Sequence, residues 1–188
     1  MDRKKNRGSA LVGVIFALVL IGIGVGVFLF IRAKKFDPGT VEDSRTYKNK
    51  WADVKITVPE GYAVTTKEDG DTKMVAFSKD TSILVLCADN SETDLDAGLE
   101  EVRQVLMQTG SQVTSAYPGI GLTVRDTTTK MIAGKSYKVL PIEMKAGSYT
   151  AYYNLYGRVA HGNGVFIIAA FGTSKSDIDN LIGMIEEY

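Results

Sequence analysis

From residue 10 to residue 31 the chain reads ALVGVIFALVLIGIGVGVFLFI, with no charged side chain anywhere in the run. As a helix, a stretch of that length spans roughly 33 Å, enough to cross a bilayer. From residue 44 onward the pattern changes to short alternations. In TYKNKWADVKITVPEGY, Ala52, Val54, Ile56 and Val58 alternate with polar neighbours up to Pro59, which lacks the donor to extend a ladder. The reading is one strand that runs into a type I turn over residues 58–61, with proline second and glycine last. Two more strands are expected at 73–78 and 82–88, the second nearly all apolar and hence central in its sheet.

Beyond SETD, a capping signal, Leu95, Leu99, Val102 and Leu106 recur at helical spacing, and Gly110 is read as the helix stop. Residues 111–122 contain Pro118, Gly119 and Gly121 and read as a loop. Strands are then expected at 123–133, 136–146, 148–160 and 165–173, joined by glycine-bearing turns. The closing SKSDIDNLIGMIEEY carries a second apolar stripe of Ile178, Leu181, Ile182 and Ile185, with Ser174 and Asp177 placed to cap it. The economical solution is an α+β domain in which amphipathic helices pack on one antiparallel sheet.

The apolar run is too long for the core of a cleaved secretory signal, and FLFIRAKKF after it offers no small-x-small cleavage site. No cysteine stands just after it for lipid attachment, the only one being Cys87. It is therefore read as an uncleaved signal-anchor. Arg3, Lys4, Lys5 and Arg7 on one side nearly balance Arg32, Lys34 and Lys35 on the other; the free amino terminus tips the orientation toward a cytoplasmic tail. The expected organisation is a basic tail (1–9), a single-pass transmembrane helix (10–31) in the cell membrane, a stalk (32–43) and an extracytoplasmic domain (44–188). Within the helix, Gly22 and Gly26 stand four apart, a spacing that lets two helices approach and would permit a homodimer through the anchor.

Charge narrows the partners. Seven of the 22 basic side chains but one of the 22 acidic ones lie before residue 36, so the remainder has a formal net charge of −6 behind a whole-chain value of zero. An acidic domain repels phosphate backbones and anionic lipid headgroups, which argues against nucleic acid and peripheral lipid binding and leaves the membrane, through the integral anchor, and an envelope protein as expected partners.

Taken in order, W-x-x-V-K-I-T-V-P-E-G-Y, then I-A-G-K-S-Y-K-V-L, then a tyrosine-rich strand, a glycine turn and a capped closing helix resemble the PsbP-like fold. That fold is shared by an extrinsic photosystem subunit, a yeast Ran-binding protein and anchored or lipidated envelope proteins of bacteria. Membrane-anchored surface proteins of Gram-positive bacteria show the same aromatic strand running into Pro-Glu-Gly-aromatic. The resemblance covers roughly residues 44–188. It implies a binding or assembly-stabilising role and transfers no site residue.

Candidate chemistry is sparse. His161, the only histidine, sits in a Gly-Asn-Gly turn and would have to recruit every partner from elsewhere. Cys87 ends an apolar strand and reads as a small buried hydrophobe. Gly134-Lys135-Ser136 mimics a phosphate loop, but Thr129 stands where the motif needs glycine, and the context is strand-turn-strand. Glu92, Asp94, Asp96, Glu100 and Glu101 occupy a helix start, where carboxylates complement the dipole. No catalytic residue, metal site or cofactor is expected.

One strand is more suggestive. In SYTAYYNLYGRVA, alternation sends Tyr149, Tyr153 and Leu155 to one side, read as core, and Tyr152, Tyr156 and Arg158 to the other. Tyrosine and arginine are enriched at binding hot spots, so the second set is the candidate binding face, against a plain or helix-covered sheet surface. The leading functional expectation is a membrane-anchored extracytoplasmic binding or adaptor module without catalytic activity. A structural envelope subunit resembling a minor pilin stands second, from the basic-Gly-then-apolar start RGSALVGVIFALV, although Gly13 replaces the usual glutamate. A hydrolase with an unrecognised site stands third.

Overall fold

A computed structural model describes residues 40–43, 45–69, 72–80, 82–89, 94–160 and 164–188. In chain order the elements are β1 (Thr40–Glu42), β2 (Thr46–Asn49), β3 (Val54–Thr57), β4 (Ala63–Asp69), β5 (Thr72–Lys79), β6 (Ser82–Asp89), α1 (Leu95–Ala116), β7 (Ile120–Val124), β8 (Thr128–Ile132), β9 (Lys135–Ala146), β10 (Tyr149–Val159), β11 (Val165–Gly172), α2 (Lys175–Gly183) and β12 (Ile185–Glu186). They form an eight-stranded sheet, β4-β5-β6-β11-β10-β9 with β7 and β8 both on β9, and a four-stranded sheet, β1-β2-β3-β12. All pairings are antiparallel. The α+β expectation holds; the single sheet becomes two.

The second sheet comes from the stretch read as one strand. After Thr46–Asn49 the chain turns and returns as Val54–Thr57, with Asp53 in the left-handed region at φ 55°. The device that closes this turn is a side chain. Asn49 is fully buried, accepts the Ala52 N–H at 2.8 Å on Oδ1 and donates to the Tyr47 hydroxyl at 2.9 Å. A buried amide satisfied on both sides replaces the glycine or proline that would have announced the turn. On the outer edge, β1 begins at Thr40, inside the stretch read as stalk.

Helix α1 starts where its capping signal predicts. Asp94 Oδ1 accepts from the N–H groups of Asp96 at 3.0 Å and Ala97 at 3.2 Å. It does not stop at Gly110. That glycine is buried inside the helix, and a Cβ there would lie 2.8 Å from Leu122 Cδ2 and 3.0 Å from its Cβ. Its small size lets the helix close on β7, and the helix runs on for six more residues, through much of the predicted loop.

The expected strand over 123–133 is broken by a bulge. Val124 faces Ile142 and Thr128 faces Val139, so three residues of the edge oppose two of β9. Pro141, one of those two, has no N–H to give, and its carbonyl accepts from Arg125 N–H at 2.9 Å. The turn into β9 places Ala133 at φ 46° and Gly134 at φ 71°, the left-handed pair of a tight hairpin. Lys135 and Ser136 thus stand on a strand, in agreement with the strand-turn-strand context on which a phosphate loop was rejected.

Both faces of the large sheet are covered. On one side, Leu95, Leu99, Val102 and Leu106 of α1 pack on Leu140, Ile142, Tyr153, Leu155 and Val165. On the other, Phe77, Leu84, Leu86, Tyr137, Tyr156, Phe166 and Ile168 meet Tyr47, Val54 and Ile56 of the small sheet and Ile178, Leu181 and Ile182 of α2. Ile185, expected on the closing helix, instead pairs with Ile56 in the small sheet.

Candidate binding groove

Strand alternation places Tyr152, Asn154, Tyr156 and Arg158 on one face of β10, as expected, but that face is an interior layer. The small sheet and α2 lie over it. Tyr156 is 1% exposed, its hydroxyl accepts from Asn154 Nδ2 at 2.9 Å, and burial raises its pKa. Arg158 is half-buried; its Nε donates to the Tyr137 hydroxyl at 3.1 Å, and its guanidinium carbon lies 5.6 Å from that ring's centre. Two of the three proposed contact residues therefore hold layers together. On the opposite face Tyr153 is core, as expected. Tyr149 is 70% exposed rather than buried, because it opens the strand at the hairpin turn.

Tyr152 alone faces an opening. It lines a groove of about 270 Å³ with Arg125, Pro141, Ile142, Glu143, Asn154, Lys175, Ile178 and Asp179. In the ladders Tyr152 pairs with Glu143 of β9 and Gly172 of β11. The glycine matters: a Cβ at Gly172 would sit 2.5 Å from Asp177 Cβ, so its absence seats α2 beside the tyrosine. A capping box fixes the helix there. Asp177 N–H donates to Ser174 Oγ at 3.1 Å, while Asp177 Oδ2 accepts from Ser174 N–H at 2.8 Å and the Thr173 hydroxyl at 3.2 Å. Burial opposes ionisation of Asp177, but these hydrogen bonds prevail and its pKa is lowered.

The first five residues of α2 then supply two groove walls. Lys175 Nζ stands 5.8 Å from the Tyr152 ring centre, within cation-π range. Asp179 is held by Lys130 at 2.9 Å. Across the groove, the Glu143 carboxylate meets Lys145 at 3.1 Å and Arg125 at 3.4 Å. The hydrogen bond from Lys145 leads in holding its pKa below the usual carboxylate value. The site is thus a rigid aromatic floor ringed by fixed charges of both signs. Its equipment suits recognition of a polar, partly apolar surface.

Arg125, Glu143, Lys175 and Asp179 were not singled out in the sequence. Glu143 was within reach: the turn at Gly147 sets Ala146 opposite Tyr149, and counting back along that register brings Glu143 to Tyr152. The other three come from a bulge and a helix, whose positions no local pattern reveals. Cys87 lies in β6, paired with Met74 and Ile167. Among the acidic cluster, Asp94 caps α1, Asp96 pairs with Lys138 at 3.2 Å and Glu100 with Arg103 at 3.1 Å. Among the described residues, no group of three or more His, Cys, Asp or Glu is placed to hold a metal ion. Likewise, no described helix is long and apolar enough to cross a membrane. His161, Glu92, Gly22, Gly26 and the apolar run at 10–31 lie outside the described residues.

The fold defines a class: an α+β domain whose large antiparallel sheet is covered by a helix on one face and by a small sheet with a second helix on the other. Among solved structures it is similar to the solution structure of cyanobacterial PsbP (CyanoP) from Synechocystis sp. PCC 6803, with 14% sequence identity over 81% of this chain and 98% of that one, at a TM-score of 0.46. PsbP is the group that the sequence features resemble. Likeness at this level transfers no residue role. No family model matches the sequence, and no curated protein is significantly similar to it.

Proposed function

We propose that this protein is a membrane-anchored binding or adaptor module, with its α+β domain outside the cytoplasm and no catalytic chemistry of its own. The observation that carries the binding role is the Tyr152 groove. Its aromatic floor is half-buried on a rigid central strand, and its charges are held in place by Lys145, Lys130 and the α2 capping box. Preorganised aromatic and charged groups bind with little ordering cost, which favours a protein surface as partner. The uncharged run at 10–31, flanked by basic residues, supports the anchor.

The test is capture from detergent-solubilised native membranes by the full chain. A partner retained by the wild type and by Thr65→Ala, on the far edge strand, but lost from Tyr152→Ala and Lys175→Glu, supports the reading. Equal capture by all four sinks it.

A further inference from the structure

The chain enters the fold at one defined end. Thr40 pairs with Lys48, Lys48 with Lys55 and Lys55 with Glu186, so this row crosses the small sheet just short of the turn at residues 50–53. Lys135 Nζ ties that turn to neighbouring elements, meeting Asp53 at 2.7 Å and Glu187 at 3.0 Å. Because Lys135 follows the Ala133-Gly134 turn and β10 ends beside the start of β9, this end also carries Met131, 63% exposed, Val159, 51% exposed, and Tyr188, 51% exposed. Trp51 stands in the turn itself, half-buried against the core.

We propose that this end of the domain rests on the headgroup layer of the bilayer, with Trp51, Tyr188, Met131 and Val159 at the lipid interface. The proposal rests on the anchor reading above. Tryptophan and tyrosine favour the interface, and lysines such as Lys50 keep their charge in water while their stems lie against apolar surface. Chain length selects this end over the other, where Tyr117 and Tyr149 are also exposed. From residue 31 to residue 40 an extended chain reaches at most about 32 Å. From Val159 to Tyr149, ten residue steps along β10 span about 34 Å. To bring the Tyr149 end to the membrane that holds residue 31, the tether would have to be drawn out to nearly its full length along the domain, whereas it reaches the Trp51 end with slack.

The sequence contains one tryptophan, which is itself the probe. The full chain is reconstituted in phosphatidylcholine vesicles with and without headgroup nitroxide-labelled phosphatidylcholine. Trp51 emission should fall in the labelled vesicles relative to the unlabelled ones. In Trp51→Phe/Tyr149→Trp, shown to be folded by circular dichroism, the indole sits at the opposite end and its emission should be unchanged by the label. Quenching of the indole at 149, or none at 51, overturns the orientation even if the protein floats with the vesicles. Failure to float would remove the anchor reading and this proposal together.

Discussion

Gly110 separates two explanations of where α1 ends. If it were a helix stop, any side chain there would be penalised by the left-handed backbone. The structure instead has it inside a 22-residue helix, with Leu122 pressed against it. In Gly110→Ala, helix propensity favours alanine by about 0.8 to 1 kcal/mol. Against this, the new Cβ meets Leu122 atoms at 2.8 and 3.0 Å, and overpacking of that kind costs roughly 1 to 3 kcal/mol. The net effect should be destabilising, by up to about 2 kcal/mol.

A double-mutant cycle isolates the steric part. Leu122→Ala removes the Cγ and Cδ2 contacts and leaves one Cβ contact, which a small shift between α1 and β7 relieves. The cost of Gly110→Ala should then fall by about 1 kcal/mol or more, a coupling expected only for residues in contact. Urea unfolding of all four variants, followed by far-UV circular dichroism, measures it. An equal penalty in both backgrounds would refute the packing argument and restore the helix stop.

Other outcomes follow from individual side chains. Tyr153 is 4% exposed and its buried hydroxyl finds no hydrogen-bond partner among the described residues, so Tyr153→Phe should stabilise by about 1 kcal/mol or more, read as a higher urea midpoint. Tyr156→Ala should cost roughly 3 to 5 kcal/mol, whereas Tyr149→Ala should cost less than about 0.5 kcal/mol, in a pair of melting curves. Glu143 and Asp177 have folded-state pKa values below their usual ones. Their contribution is therefore present above the ordinary carboxylate range, at about pH 4, and lost as pH falls through the lowered values. Glu143→Gln and Asp177→Asn should flatten the acid limb of the stability profile; an unchanged limb would argue against those hydrogen bonds.

What the sequence revealed follows the range of the interactions involved. Caps at Asp94, Ser174 and Asp177 are local contacts within four residues, and each stands where the pattern predicts. Glycine was ambiguous because it serves opposite ends: at Gly134 and Gly147 it turns the chain, whereas at Gly110 and Gly172 it admits a neighbour. The small sheet was missed because the Asn49 side chain makes its turn. The alternation of β10 was legible, but what covers each face was not. Tyr156 looked like surface until residues distant in sequence on both sides, such as Tyr47 and Leu181, closed over the same core. Only Tyr152 survives as a contact candidate, and its charged neighbours come from the β7–β8 bulge, β9 and α2.

The most direct test of the binding role is site-specific photo-crosslinking in intact cells, with a benzophenone amino acid in place of Tyr152. The account predicts a discrete crosslinked species in the membrane fraction that is absent when the same group replaces Thr65, and absent when Lys175→Glu is added to the Tyr152 variant. Identical adduct patterns from the two positions, or an adduct indifferent to Lys175, would contradict it.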